Sequence, residues 1–473
     1  MLDGLYEKLN AYAQTDFYPF HMPGHKRNPE SGSLAPFYRL DITEIDGFDN
    51  LHEASGVIRQ AQERAARLYG SEETHFLING STGGILSAIA CVAGKGKVLL
   101  MARNCHKAVY HAAFLNRLNV RYLYPELLPE YDLAGGMLPE TIQKAIILTL
   151  RERNADPKKA AEVIAGVVVP SPTYDGICSN IRKIAAIAHS YGVPLIVDEA
   201  HGAHLGFHAA YPENSIQCGA DVVIQSTHKT LSSPTQTAIL HVNGVLVNRN
   251  YLRRYLAIYQ TSSPSYLLMA GIEEGLYLLE KEGTERLDRL LHMRKQLEEG
   301  LSSCKYLRIC PDTEPSKAVI SVKNTNYTGK QLYDALRETY HLQLEMACET
   351  YALAMLSMMD TEEGIRRLID ALKEIDSRLT QEKTPDFTSV SECWSPVRKF
   401  PLYEAYMQKS CEVSLTDAIG RTAVEFVNLY PPGIPLLIPG ERIEEPFIRA
   451  IQERIRYGYT VQGINEGKIG VLL

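Results

Sequence analysis

The chain is short of positive charge: 49 lysines and arginines stand against 56 aspartates and glutamates, a formal net charge of -7 at pH 7. A basic surface that holds nucleic acid by releasing counterions is therefore not expected. The acidic balance suits a small cationic partner, although plain solubility accounts for it as well. The nine cysteines are scattered and form no CxxC pair. That excludes a zinc ribbon or disulfide framework and points to reduced thiols in the cytoplasm. No run approaches the ~18 apolar residues of a membrane span, and Met1-Leu-Asp-Gly lacks the basic start of a signal peptide. No membrane partner is expected. There is one tryptophan, Trp394, and neither an internal repeat nor a low-complexity tract.

What the chain does have is a long alternation of strand-like and helix-like runs. The strand candidates are Thr74–Ile78, Lys97–Met101, Val120–Tyr124, Val163–Pro170, Pro194–Glu199, Asp221–Gln225 and Thr237–Val242. Helix candidates are Val57–Tyr69, Gly83–Val92, His106–Leu118, Pro139–Arg151 and Ile181–Tyr191. The strand runs lack polar alternation, so both faces should be covered, as in a doubly wound, mostly parallel α/β sheet of seven strands. Residues 1–55 read as an N-terminal arm that crosses the body or a partner, with His21 and His25 as loop residues. Residues 56–300 read as a large domain, 301–380 as a smaller α+β domain and 381–473 as a C-terminal domain entered through the polar linker Gln381-Glu-Lys-Thr-Pro-Asp.

The chemistry gathers at strand ends, where α/β sheets bind ligands. Asp221-Val-Val-Ile-Gln225 breaks into Ser226-Thr-His228-Lys229. A desolvated lysine there can form a Schiff base with a carbonyl, and the small hydroxyls beside it can hold a phosphate. Most lysines, however, are surface residues. Asn79-Gly80-Ser81-Thr82-Gly83-Gly84 follows a strand and opens a helix. It reads as a phosphate cradle or as an ordinary helix cap. Asp198, at the end of a buried run, suits the pyridine nitrogen of pyridoxal phosphate; the alternative is a structural aspartate paired with an arginine. His106, in Arg103-Asn-Cys-His-Lys107, suits the face of an aromatic ring or a helix N-terminus. Thr173, in Ser171-Pro-Thr-Tyr-Asp-Gly176, suits the ring oxygen. His201, His204 and His208 align only on a helix, which Gly202 and Gly206 disfavour, so no metal site is expected. Five strand ends thus converge on one cofactor, pyridoxal 5'-phosphate.

Gln225-Ser-Thr-His-Lys229, Val197-Asp-Glu-Ala-His-Gly-Ala-His204, Arg103-Asn-Cys-His-Lys107, Pro19-Phe-His-Met-Pro-Gly-His-Lys26 and Pro431-Pro-Gly-Ile-Pro435 resemble the Orn/Lys/Arg decarboxylases of aspartate-aminotransferase fold (group III, fold type I). The resemblance runs from about residue 17 to 442. It implies decarboxylation of arginine, lysine or ornithine. It also implies Lys229 as the Schiff-base lysine, Asp198 as the pyridinium partner and His106 as the stacking histidine. Ser81, Thr82, Ser226 and His228 would hold the phosphate, and His201 would lie by the ring and substrate. Tyr259-Gln-Thr-Ser-Ser-Pro-Ser265, with Ser263, is similar to the segment that reaches the partner subunit's site, so a homodimer with shared sites is expected. The start at the arm implies the short form, without the N-terminal wing of larger members. Glu345, Glu349 and Glu441 are candidates for the substrate's distal cation. The rival readings are an aminotransferase or lyase, for which Arg421 is a late arginine, and a silent pyridoxal-binding regulator, for which no effector module is visible.

Overall fold

A computed structural model describes residues 4–383, 397–429 and 433–473. Trp394, the last linker residues 384–386 and the prolines Pro431 and Pro432 lie outside the described residues. Seven strands carry the α/β fold: β1 (Glu73–Leu77), β2 (Val98–Ala102), β3 (Asn119–Leu123), β4 (Ile164–Pro170), β5 (Leu195–Asp198), β6 (Val222–Gln225) and β7 (Ala238–Val242). Each lies within one residue of its expected span. The chain divides into two compact units. The first is Met1–Val92, Gly166–Ser171 and Ile181–Asp288; the second is Ala93–Ala165, Pro172–Asn180 and Arg289–Leu473.

In the first unit the strands run in the order β1-β7-β6-β5-β4. β5 is parallel to both β4 and β6, whereas β7 is antiparallel to β6 and to β1. The expectation of a mostly parallel sheet is thus modified at this edge. The return from β6 to β7, residues 226–237, holds only the four-residue helix Thr227–Thr230, whereas a parallel crossover usually carries a full helix. β5, β6 and β7 are buried along their whole length, which is why they read as unbroken apolar runs. Helix Gly80–Val92 packs on β6 and β7. A Cβ at Gly84 would come within 2.6 Å of Leu77 Cδ1, so only glycine lets helix and sheet approach there. Helix Val57–Tyr69 ends on Gly70 in the left-handed region, φ 73.

The N-terminal arm is held by its own chain in this unit. Helix Leu5–Ala13 buries Leu5 and Leu9, and the Leu5 N–H donates to Glu273 at 2.6 Å. Tyr266 donates its hydroxyl to the Asp49 carbonyl. His25 stacks on Tyr38 and meets Asp41 at 3.2 Å, so side chains hold it as well as the loop backbone. Phe17, Tyr18, Phe20 and Met22 remain exposed, Phe20 by 90%.

In the second unit β2 and β3 form a parallel pair. A four-stranded antiparallel sheet follows, in the order Arg308–Ile309, Lys317–Ser321, Tyr351–Met355, Met346–Ala347. Helix Gly329–Tyr340 starts with a capping box between Thr328 and Gln331, and helix Glu362–Asp376 buries one apolar stripe. The C-terminal part packs helix Glu445–Arg456 on short antiparallel pairs around Val427, Leu437, Phe447 and Ile451. Arg103 ties the loop after β2 to that part. Its guanidinium is fully buried, donates to the carbonyls of Pro435 and Leu436, and meets Glu441 at 3.3 Å. A buried pair of this kind loses roughly 3–5 kcal/mol when one partner alone is removed. Among the described residues no helix is long and apolar enough to cross a membrane.

Candidate active site

The site in the first unit is built from the ends of β5 and β6. These strands are parallel and pair Asp198 with Ile224, so their carboxyl ends lie side by side. Asp198 closes β5. Its Oδ1 accepts the Ala200 N–H at 3.2 Å, which turns the chain sharply toward His201. Burial pushes the Asp198 carboxyl up from its ordinary range, and the Lys229 ammonium and the Ala200 N–H pull it back. A cation within reach therefore favours the charged form of this carboxyl.

Beyond β6 the chain makes the one-turn helix Thr227–Thr230, which carries His228 and Lys229. Lys229 Nζ lies 3.0 Å from His201 Nε2. His228 donates its Nδ1 hydrogen to the Thr237 carbonyl at 2.8 Å, and burial lowers its pKa, so it stays neutral. Thr227 donates to the Thr237 hydroxyl at 2.8 Å. Gln236 also reaches the other loop. Gly80 N–H donates to the Gln236 carbonyl at 2.9 Å, and Gln236 Nε2 donates to the Ile78 carbonyl. Through this bridge the segment with Ser226, His228 and Lys229 is tied to the helix start with Ser81 and Thr82. Ser81 is half-buried and Thr82 exposed.

The residues present fit pyridoxal phosphate. The Ser226 hydroxyl is fully buried and has no hydrogen-bond partner among the described residues. A buried hydroxyl without a partner is costly unless a ligand oxygen meets it. The start of the long helix Gly80–Val92 supplies unpaired N–H groups that favour an anion.

Ser263 is exposed, on a segment anchored where His52 meets the Thr261 carbonyl at 2.8 Å. Two other expected residues belong to the second unit. His106 caps helix Lys107–Leu115, its Nδ1 accepting the Ala108 N–H at 3.2 Å. Thr173 is buried in a closed turn, where its hydroxyl accepts the Ile177 N–H at 3.0 Å. Of the carboxylates considered for the distal cation, Glu441 is buried against Arg103 and Glu349 meets Arg454 at 2.6 Å. Both are already neutralised by arginines; Glu345 is exposed and takes the Tyr174 hydroxyl. Arg421 donates to the Leu472 carbonyl, within the C-terminal part. His204 packs edge-on to Tyr211, and His208 meets Asp288 at 3.0 Å. No group of three or more His, Cys, Asp or Glu among the described residues could hold a metal ion.

Sequence reasoning overlooked Glu199, Gln225 and His241, which are buried directly behind the site. The available signal was the pair of adjacent carboxylates at the end of a buried strand. Neighbouring strand residues face opposite ways, so Glu199 must find partners of its own on the far side from Asp198.

Comparison with known proteins identifies the family. The model of the Orn/Lys/Arg decarboxylase major domain matches residues 3–342, and that of the C-terminal domain matches residues 398–462. The arginine decarboxylase of Halalkalibacterium halodurans is 32% identical, over 97% of this chain and 94% of that protein. The constitutive lysine decarboxylase of Escherichia coli is 26% identical, over 61% of this chain and 43% of that protein. The crystal structure of the Francisella novicida lysine decarboxylase LdcF shares the fold with a TM-score of 0.84 at 20% identity, over 99% of this chain and 81% of that one. The chain therefore belongs to the Orn/Lys/Arg decarboxylase family, and it is a pyridoxal-phosphate-dependent enzyme that removes carbon dioxide from a basic amino acid.

Proposed function

We propose that the substrate is arginine and the products are agmatine and carbon dioxide. The observation that carries this reading is the identity of the relatives that align over nearly their whole length. Those from Halalkalibacterium halodurans, Bacillus anthracis and Bacillus subtilis that are named arginine decarboxylase are 32%, 30% and 30% identical, over 94%, 94% and 96% of their own length. The acidic balance of the chain, -7 overall, is compatible with a cationic substrate.

Bound pyridoxal phosphate supplies an electron sink for the pair left at Cα when carbon dioxide departs. The side chains do the rest. Lys229 anchors the cofactor through its Nζ. Asp198 sets a negative charge opposite the ring nitrogen. His201, 3.0 Å from Lys229 Nζ, exchanges a proton with it and delivers one to Cα. Ser81, Thr82, Ser226 and His228 would hold the phosphate, and His106 and Thr173 would serve the ring face and the ring oxygen. We read 1–55 as the arm, 56–300 as the cofactor-binding domain, and 301–380 and 381–473 as the small and C-terminal domains.

The working unit in this proposal is a homodimer in which Ser263 serves the partner's site. Its support is exposure: Thr261, Ser262 and Ser263 form an exposed run, and the arm leaves four large apolar side chains, Phe17, Tyr18, Phe20 and Met22, in solvent.

Three outcomes are expected. Incubated separately with arginine, lysine and ornithine, the loaded enzyme should release carbon dioxide fastest from arginine and form agmatine; faster release from lysine or ornithine overturns the substrate. Asp198→Asn should keep its cofactor but lose on the order of a hundredfold in kcat, as when one preorganised electrostatic partner is removed; an unchanged rate makes Asp198 structural. A Lys229→Ala chain mixed with an inactive Ser262→Ala/Ser263→Ala chain should regain activity, because one site of each hybrid carries neither lesion. Verified hybrids that stay silent rule out shared sites.

A further inference from the structure

Glu199 stands at the head of a buried hydrogen-bond chain that the reaction itself does not use. Its Oε2 accepts the Ser215 N–H at 2.9 Å and also the Ser215 hydroxyl. Its Oε1 accepts the Gln225 side-chain amide at 2.7 Å. Gln225 Oε1 lies 3.1 Å from His241 Nε2, and His241 Nδ1 lies 2.7 Å from the Thr74 hydroxyl. Every member is buried, and the chain crosses β6, β7 and β1.

The direction of the chain follows from its head. A carboxylate only accepts, so the Gln225 amide must turn its NH2 toward Glu199 and its oxygen toward His241. His241 must then carry its proton on Nε2 and accept from Thr74 on Nδ1. Burial lowers the His241 pKa to about 3, so the ring is neutral and this tautomer is defined. Gln225, the second member of the chain, is the last residue before Ser226. The head of the chain holds the turn that follows Asp198, in which Glu199 N–H donates to the Ile224 carbonyl and Gly202 N–H to the Glu199 carbonyl.

We propose that Glu199 is a positioning residue: it locks the turn that presents His201 to Lys229 against the strand end that carries Lys229. The inference rests on the roles proposed above for His201 and Lys229. Burial raises the Glu199 carboxyl to about 7, its own donors opposing the rise. Tyr69 and Cys218 are the titratable groups whose fields it shares, and His241 is reached through Gln225.

The test is the pH titration of the holoenzyme's visible absorbance, read with kcat and KM. Glu199→Ala should move the absorbance midpoint by about one unit, the size expected when a charged neighbour is displaced. It should lower kcat roughly tenfold, as loss of an outer-layer hydrogen-bond partner does at metal sites, with KM nearly unchanged. Glu199→Gln should stay close to the parent. Its carbonyl can still accept from Ser215, and its NH2 can donate to a flipped Gln225, which moves the His241 proton to Nδ1. Nitrogen-15 NMR of His241 should show that tautomer change. If Glu199→Ala does not fold, Gln225→Met cuts the same link and should shift the midpoint the same way. A Lys229-dependent absorbance whose midpoint neither variant moves overturns this inference alone. An absorbance that survives Lys229→Ala overturns the proposed site, and this inference with it.

Discussion

Two carboxylates in a row, Asp198 and Glu199, end a strand from which water is excluded, and each must be answered by donors or by a cation. They are answered in opposite ways. Glu199 is surrounded by donors from Ser215 and Gln225 and is complete within the protein. Asp198 has one backbone N–H and otherwise depends on the charge of Lys229. In the proposed mechanism that dependence is the chemistry: the bound cofactor's ring nitrogen would supply Asp198 with a further positive partner. The rest of the site follows from where the sheet brings its strand ends.

Parallel pairing of β5 and β6 sets the Asp198 and Lys229 segments side by side. The antiparallel return into β7 then brings Thr237 back under His228 and Thr227. Gln236 carries the same frame across to the start of helix Gly80–Val92. The links are hydrogen bonds of main-chain, imidazole, amide and buried hydroxyl groups, so the frame is stiff, as a preorganised electrostatic site requires. By contrast, the segment with Ser262 and Ser263 is exposed, in keeping with a contact made outside its own chain.

Much of this was legible in the sequence, for identifiable reasons. Strands buried on both faces are unbroken β-branched runs, so β4 to β7 were visible to within a residue. Strand-end motifs such as Ser226-Thr-His-Lys229 stand out because polar groups interrupt those runs. The antiparallel sense of β7 was not visible, since direction depends on what the short Ser226–Thr237 return permits. The two-residue strands Arg308–Ile309 and Met346–Ala347 are too short to show any period. His106 caps its helix through Nδ1, in keeping with the helix N-terminus that the sequence offered beside the ring face. Glu199 was passed over because its partners, Ser215 and Gln225, lie far along the chain and meet it only after folding.

The central claim is that Lys229 is the residue that binds the cofactor, inside the frame set by Asp198 and His201. Borohydride reduction of the cofactor-loaded enzyme, followed by proteolysis and mass spectrometry, reads that bond directly. The account predicts one reduced pyridoxyl group, on the peptide that contains Lys229. A pyridoxyl group on any other lysine, with Lys229 unmodified, would contradict it.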